Sequence, residues 1–170
     1  MKLFPIAAGQ TVAVEGLRFT ALALDHVVPT LGFVIEDDDA CVAIISDTTS
    51  TPAIWDTLNQ WPRPLDALFL ECAFPNRMRW LADKAKHLTP AQFQEVYAQI
   101  RHLPPVVAVH IKPAFREEIL KELQALCLDV KVLSEDKKEI ELKEIEEDIA
   151  ETARALGINL EGEEALVEDY

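Results

Sequence analysis

The hydrophobic pattern changes rhythm near residue 50. Upstream of it, Thr11 to Val14, Leu17 to Leu24, Leu31 to Ile35 and Cys41 to Ile45 are short apolar runs, rich in β-branched and aromatic residues and parted by Gly or Asp clusters. Such runs predict four strands joined as a hairpin meander. Downstream, helical patterns alternate with apolar runs. A helix is predicted over Pro52 to Asn59, opened by Ser50-Thr51, then a strand over Ala67 to Leu70 and helices over Asn76 to Lys84 and Pro90 to Arg101. A strand over Val106 to Val109 and a helix over Ala114 to Leu126 complete the series. A β-meander followed by β-α units predicts an α/β fold with helices layered on one face of a sheet. No repeat of solenoid period is visible.

Charge divides the chain a second way. Residues 134–170 hold fourteen acidic and four basic residues, net -10, whereas residues 1–133 hold 16 acidic and 12 basic, net -4. Within the tail, Ile140, Ile145, Ile149 and Leu156 recur at near-helical intervals among Glu and Lys, and Gly157 follows. That pattern predicts an amphipathic acidic helix over 135–156, appended to a main unit of residues 1–133. An acidic run of this kind reads first as a solvated face.

The whole chain, 170 residues with a formal charge of -14, has 49% hydrophobic residues, enough to bury a core. Its negative field repels phosphate backbones and anionic membrane surfaces, so general nucleic-acid binding is disfavoured while a single nucleotide held by a metal is not. No apolar run approaches the roughly 20 residues of a membrane span, and the amino terminus reaches Gly9-Gln10 too soon for a secretory signal. A cytoplasmic protein without a membrane partner is expected. Cys41, Cys72 and Cys127 sit in apolar stretches without CxxC spacing, which fits buried thiols rather than a disulfide framework or zinc knuckle.

Candidate chemistry therefore falls to His, Asp and Glu. His26 lies just beyond the run ending Ala21-Leu22-Ala23-Leu24, Asp47 beyond Val42-Ala43-Ile44-Ile45-Ser46, Glu71 beyond Leu68-Phe69-Leu70, and His110 beyond Val106-Val107-Ala108-Val109. If the carboxyl ends of these strands share one edge, the four side chains converge where ligands commonly sit in α/β folds. Imidazole and carboxylate donors suit a divalent transition metal, and an Asp can bridge two ions. Each position also has a structural alternative. Asp47 can cap the helix near Thr51 or brace the turn Ser46-Asp47-Thr48-Thr49. Glu71 can pair with Arg77 or Arg79, and His87, before Leu88-Thr89-Pro90, can be a helix-start residue.

The segments taken together carry more than any one of them. The stretch from His26-Val27-Val28-Pro29-Thr30-Leu31-Gly32 onward, then Ser46-Asp47-Thr48, Glu71-Cys72-Ala73-Phe74-Pro75-Asn76, His87-Leu88-Thr89-Pro90 and His110-Ile111-Lys112-Pro113 follow one another in a distinctive order and spacing. The combination, spanning roughly residues 10–125, resembles the metallo-β-lactamase superfamily. More narrowly it is similar to class II cyclic-nucleotide phosphodiesterases, neighbours of the tRNA 3′-processing endonucleases. The resemblance implies an αββα sandwich and two divalent ions, Zn or else Mn. It implies that His26 binds the first ion, Asp47 bridges both and His110 binds the second. Glu71 and His87 fall where the endonucleases carry a Glu and a His that relay a proton to the leaving group, although those enzymes place a His before the Glu and this chain has Leu70.

The superfamily's HxHxDH string does not occur in the chain, and His102, between Arg101 and Leu103, cannot replace it. The resemblance thus covers roughly the carboxy-terminal half of the sandwich, with an incomplete metal site. The expected activity is phosphodiester hydrolysis of a nucleotide, foremost a 3′,5′-cyclic one, requiring a partner half that bears HxHxDH. An apolar sheet face that this half would cover is expected to be exposed. The alternatives are a tRNA 3′-processing endonuclease-like hydrolase, or a non-catalytic remnant that binds a protein partner or a second copy of itself through the uncovered sheet.

Overall fold

A computed structural model describes residues 5–126 and 128–132; Cys127 and the segment 134–170, with its expected acidic helix, lie outside the described residues. Seven strands form one sheet in sequential order: β1 (Thr11–Val14), β2 (Leu17–Leu24), β3 (Thr30–Glu36), β4 (Cys41–Ile45), β5 (Ala67–Glu71), β6 (Val106–Val109) and β7 (Val130–Val132). The first three pairings are antiparallel and the last three parallel. The switch occurs where helices begin to carry the chain back across the sheet, as parallel pairing requires. These helices are α1 (Pro52–Asn59), α2 (Arg79–Ala85), α3 (Pro90–Tyr97) and α4 (Arg116–Gln124).

The expected elements are present with altered ends. The helix expected from Asn76 begins instead as a 3-10 turn over Asn76–Met78, and another 3-10 turn over Pro113–Phe115 precedes α4. The helix expected to reach Arg101 ends at Tyr97. Strand β7 went unanticipated, being only three residues long with Lys131 at its centre. That is too short for alternation to stand out.

Register separates the two faces of the sheet. Cys41, Ala43 and Ile45 alternate with Val42 and Ile44, and the pairings Ala43 with Leu68 and Leu68 with Val106 carry one face across the parallel strands. This face is buried against Ile54, Trp55 and Leu58 of α1, Phe93 and Val96 of α3, and Ile119 and Leu123 of α4, in a single core cluster. Helices on one face of the sheet are thus as the sequence pattern implies. The opposite face holds Val12, Val14, Leu17, Phe19, Phe33, Ile35, Val42, Ile44, Phe69 and Val107 in matching register. Val14 is 53%, Val12 42%, and Leu17 and Ile44 each 37% exposed. The exposed apolar face anticipated from the sequence is therefore present on this side of the sheet.

Two contacts at the heart of the meander are open to test. A Cβ on Gly32 would stand 2.9 Å from the Ile44 carbonyl oxygen on the adjoining strand, a backbone atom that cannot swing away. Gly32→Ala is therefore expected to destabilise the fold by about 1–3 kcal/mol, read from the urea midpoint. Glu36 accepts from Arg18 at 2.6 Å and from Trp61 Nε1 at 2.8 Å. The Arg18 hydrogen bond, followed by that of Trp61, holds its carboxyl below the usual carboxylate range. A folded-state value lowered in this way contributes stability that is complete above the unfolded value of about 4.3 and is lost as pH falls through the folded one. Glu36→Gln should cost about 1 kcal/mol at pH 7, with the difference from wild type shrinking as the carboxylate protonates in acid. Urea titrations across pH 3–7 check it.

Candidate functional site

Strand direction assembles the site. Because β2 to β3 and β3 to β4 are antiparallel while β4, β5 and β6 are parallel, the strands β2, β4, β5 and β6 all run the same way. Their carboxyl ends share one edge. His26 is two residues beyond β2, Asp47 two beyond β4, Glu71 the last residue of β5, and His110 the first beyond β6. Backbone bonds hold these ends together: Thr49 N donates to Asp25 O at 3.1 Å and Cys72 N to Val109 O at 3.0 Å.

His87 reaches the same edge from the connection between α2 and α3. Lys86, left-handed at φ 56°, ends α2 and turns the chain. His87 N then donates to Ala82 O at 2.9 Å, while Ala73 N and Phe74 N, just past β5, both donate to Leu88 O. Thr89 opens α3 with a reciprocal capping box to Gln92. His87 is therefore not the residue that starts this helix, and it remains free to face the cleft.

The five expected side chains meet. His110 Nε2 lies 3.2 Å from Asp47 Oδ1, and His87 Nδ1 lies 3.9 Å from the same oxygen. The His26 and His87 ring centroids are 4.8 Å apart, and the His87 and His110 rings stack at 5.3 Å. Donor atoms of His26, Asp47 and His87 all fall within 4.8 Å of one another. A helix cap at Asp47 and an arginine pair at Glu71 are not what the structure shows. Thr51, without a side-chain cap bond, precedes α1, so Asp47 is not its cap. Arg77 pairs with Glu118 and Arg79 with Glu95, leaving Glu71 to His87. His102 is an exposed turn residue.

Glu71 has no exposed surface and His87 only 7%. The carboxylate accepts from Thr48 N, and both its oxygens lie 3.0–3.1 Å from His87 Nδ1. A carboxylate only accepts, so Nδ1 carries the proton and Nε2 is left for the cleft. His26 is oriented in the same manner: its Nδ1 lies 3.2 Å from Lys86 O, and Lys86 is itself tied to Asp25 by an ion pair at 2.5 Å. Outer partners of this kind fix the rings of metal-binding histidines. Asp47 and His110 both adopt left-handed backbone, at φ 58° and 57°. Such conformations are uncommon for residues other than glycine and persist where the surroundings enforce them. The donor atoms of His26, Asp47 and His87 are gathered closely enough for one divalent transition ion, and His110 adds an imidazole beside Asp47.

Cys72, adjacent to Glu71, is buried, and that burial pushes its thiol far above the ordinary value. Cys41 is likewise buried with its thiol raised. Neither enters the site, in keeping with their apolar sequence surroundings. What sequence reasoning missed is the support: Thr48 N on Glu71, Lys86 O on His26 and the Phe74 ring 5.7 Å from His87. Two of those are backbone groups, which leave no residue-type signal.

Residues 1–111 match the family described as Beta-lactamase superfamily domain, and the chain belongs to that family. Among solved structures the fold is similar to the metallo-β-lactamase fold protein YhfI from Bacillus subtilis, at 16% identity and TM-score 0.62, over 77% of this chain and 52% of that one. Human tRNase Z, short form, is similar at 15% identity and TM-score 0.52, over 72% of this chain and 42% of its own. A diphosphatase from the PhnP family gives 15% and 0.54, over 75% and 44%. The chain thus spans about half the length, or less, of these structures. A separate segment likeness joins it to the DNA-directed RNA polymerase subunit beta of Clostridium botulinum, 56% identical over 52 residues; that is 30% of this chain and 4% of the subunit.

Removing the buried carboxylate tests the pairing. Glu71→Ala should lower the unfolding free energy by about 2–4 kcal/mol, since it opens a void and leaves Thr48 N and His87 Nδ1 unbonded. In the wild type, ¹H–¹⁵N correlation of neutral His87 should show the proton on Nδ1. A proton on Nε2 would contradict the bond to Glu71.

Proposed function

We propose that this chain carries half of the active site of a metal-dependent phosphodiester hydrolase, with a 3′,5′-cyclic nucleotide as the leading substrate. The observation that carries the reading is the meeting of His26, Asp47, Glu71, His87 and His110 at one sheet edge, with Asp47 placed between imidazoles. His26, Asp47 and His110 would hold the metal, Zn or Mn. A bound divalent ion supplies Lewis acidity there, polarising a phosphoryl oxygen and acidifying water.

The chain's own residues supply position and protons. Asp47, one oxygen of which lies beside His110, would supply the carboxylate donor of the metal site. Protonated His87, its charge balanced by buried Glu71, delivers a proton from Nε2 to the departing sugar oxygen. Glu71 does not touch substrate in this account; it holds the tautomer and angle of His87.

The same reading places further ligands on a second layer, an HxHxDH-bearing half, seated on the exposed face of Val12, Val14, Leu17 and Ile44. The diphosphatase and tRNase Z similarities support phosphoester chemistry, since those proteins are named for cleaving such bonds. The formal charge of -14 favours a small nucleotide over a tRNA. Among the described residues no helix is long and apolar enough to cross a membrane, which agrees with a substrate met in water.

Zinc titration of the full chain tests the site. Micromolar binding is expected, weakened at least tenfold by Asp47→Ala or His110→Ala, with negligible cyclic-nucleotide hydrolysis until an HxHxDH-bearing half is added. An absence of zinc or manganese binding would favour the second reading, a protein-interaction module built on the exposed sheet face. Robust hydrolysis by the 170-residue chain alone would show that the donors named here suffice.

A further inference from the structure

We infer that Lys112 is a substrate-anchoring residue, which takes a non-bridging phosphoryl oxygen and so directs this site to anionic phosphate esters rather than uncharged esters or amides. The inference rests on the phosphodiester reading and adds to it a group not among the metal or proton-relay residues.

Lys112 stands two residues beyond His110, at the head of the 3-10 turn Pro113–Phe115, in extended backbone at φ -66° and ψ 126°. That short connection sets its ammonium over an aromatic ring: Nζ lies 5.1 Å from the centre of the Phe74 ring. Phe74 is buried, and its ring in turn lies 5.7 Å from that of His87. The positive charge is thereby set on an aromatic shelf one ring removed from the proton-carrying imidazole.

Its neighbours have spent their charges elsewhere. Arg77 is bound to Glu118, Arg79 to Glu95 and Lys86 to Asp25. Among the described residues no carboxylate lies within ion-pair distance of Lys112 Nζ; the two acids of the site, Asp47 and Glu71, are faced by His110 and His87. A partly exposed ammonium resting on a ring gives up little when it turns to an anion. A phosphoryl oxygen offers it a charge-assisted hydrogen bond instead, the usual role of lysine as a point-charge partner of phosphate. The Phe74 ring gives the ammonium a defined resting place, one aromatic residue from His87.

The test is inorganic phosphate binding to the full chain by calorimetry, with and without saturating zinc, in wild type, Lys112→Gln, Lys112→Arg and the β7 control Lys131→Gln. Lys112→Gln is expected to weaken phosphate binding about tenfold, equivalent to about 1.4 kcal/mol. Lys112→Arg should restore most of it, and Lys131→Gln should stay within twofold of wild type. Zinc affinity and melting temperature should be unchanged in all four. Phosphate binding that is absent in the wild type, or within twofold in Lys112→Gln, overturns the inference. Zinc uptake with no Lys112 effect would sink the anchor and keep the metal site; a Lys112 effect without zinc uptake would do the reverse.

Discussion

A carboxylate with no exposed surface has to be satisfied by what surrounds it, and Glu71 is such a group at the end of the interior strand β5. Its partners come from two different connections. Thr48 N belongs to the turn that presents Asp47, and His87 Nδ1 to the link between α2 and α3. One buried acid therefore fixes both the turn that presents Asp47 and the ring of His87. Its own strand lies between β4 and β6, whose ends deliver Asp47 and His110. Losing the acid would release both sides of the site together, which is why its role is structural and chemical at once.

Strand direction sets how many functional groups that edge can hold. The antiparallel meander returns β2 to the direction of β4, so His26 joins the residues that the parallel strands bring. The same sheet leaves its second face apolar and open, with Val14 more than half exposed, while the helices cover the first. These two facts belong together. The edge offers three imidazoles and two carboxylates, and the open face lies on the side of the sheet that the helices leave uncovered.

Much of this was legible in the sequence because the site residues end apolar runs. His26, Asp47, Glu71 and His110 each interrupt a strand-like stretch at its carboxyl end, and the β-meander followed by β-α units implied that such ends would share an edge. His87 was legible only through resemblance, since it lies in a connection and its position depends on backbone bonds from Ala73 and Phe74 to Leu88. Helix ends were misplaced where 3-10 turns open the helix, at Asn76–Met78 and Pro113–Phe115, because i to i+3 and i to i+4 patterns look alike over one turn. Glu71 shows the limit of reading pairs from proximity in sequence. Arg77 and Arg79 are near along the chain, yet from the 3-10 turn and α2 they pair with Glu118 and Glu95.

The left-handed backbone at Asp47 and His110 explains how two donors on different strands come within 3.2 Å. A strand that continued in extended form would carry its next side chain to alternate faces, away from the shared edge. A single residue at positive φ breaks that alternation and swings the side chain across the strand end. Both residues bear this at a cost of about 1 kcal/mol or more each, so the neighbouring bonds must enforce it. Thr49 N on Asp25 O and Cys72 N on Val109 O tie the backbone next to each of them to another strand end. The donor positions are then a property of the folded backbone, set before any ion arrives. Gathering these side chains at one edge is thus done by the fold itself.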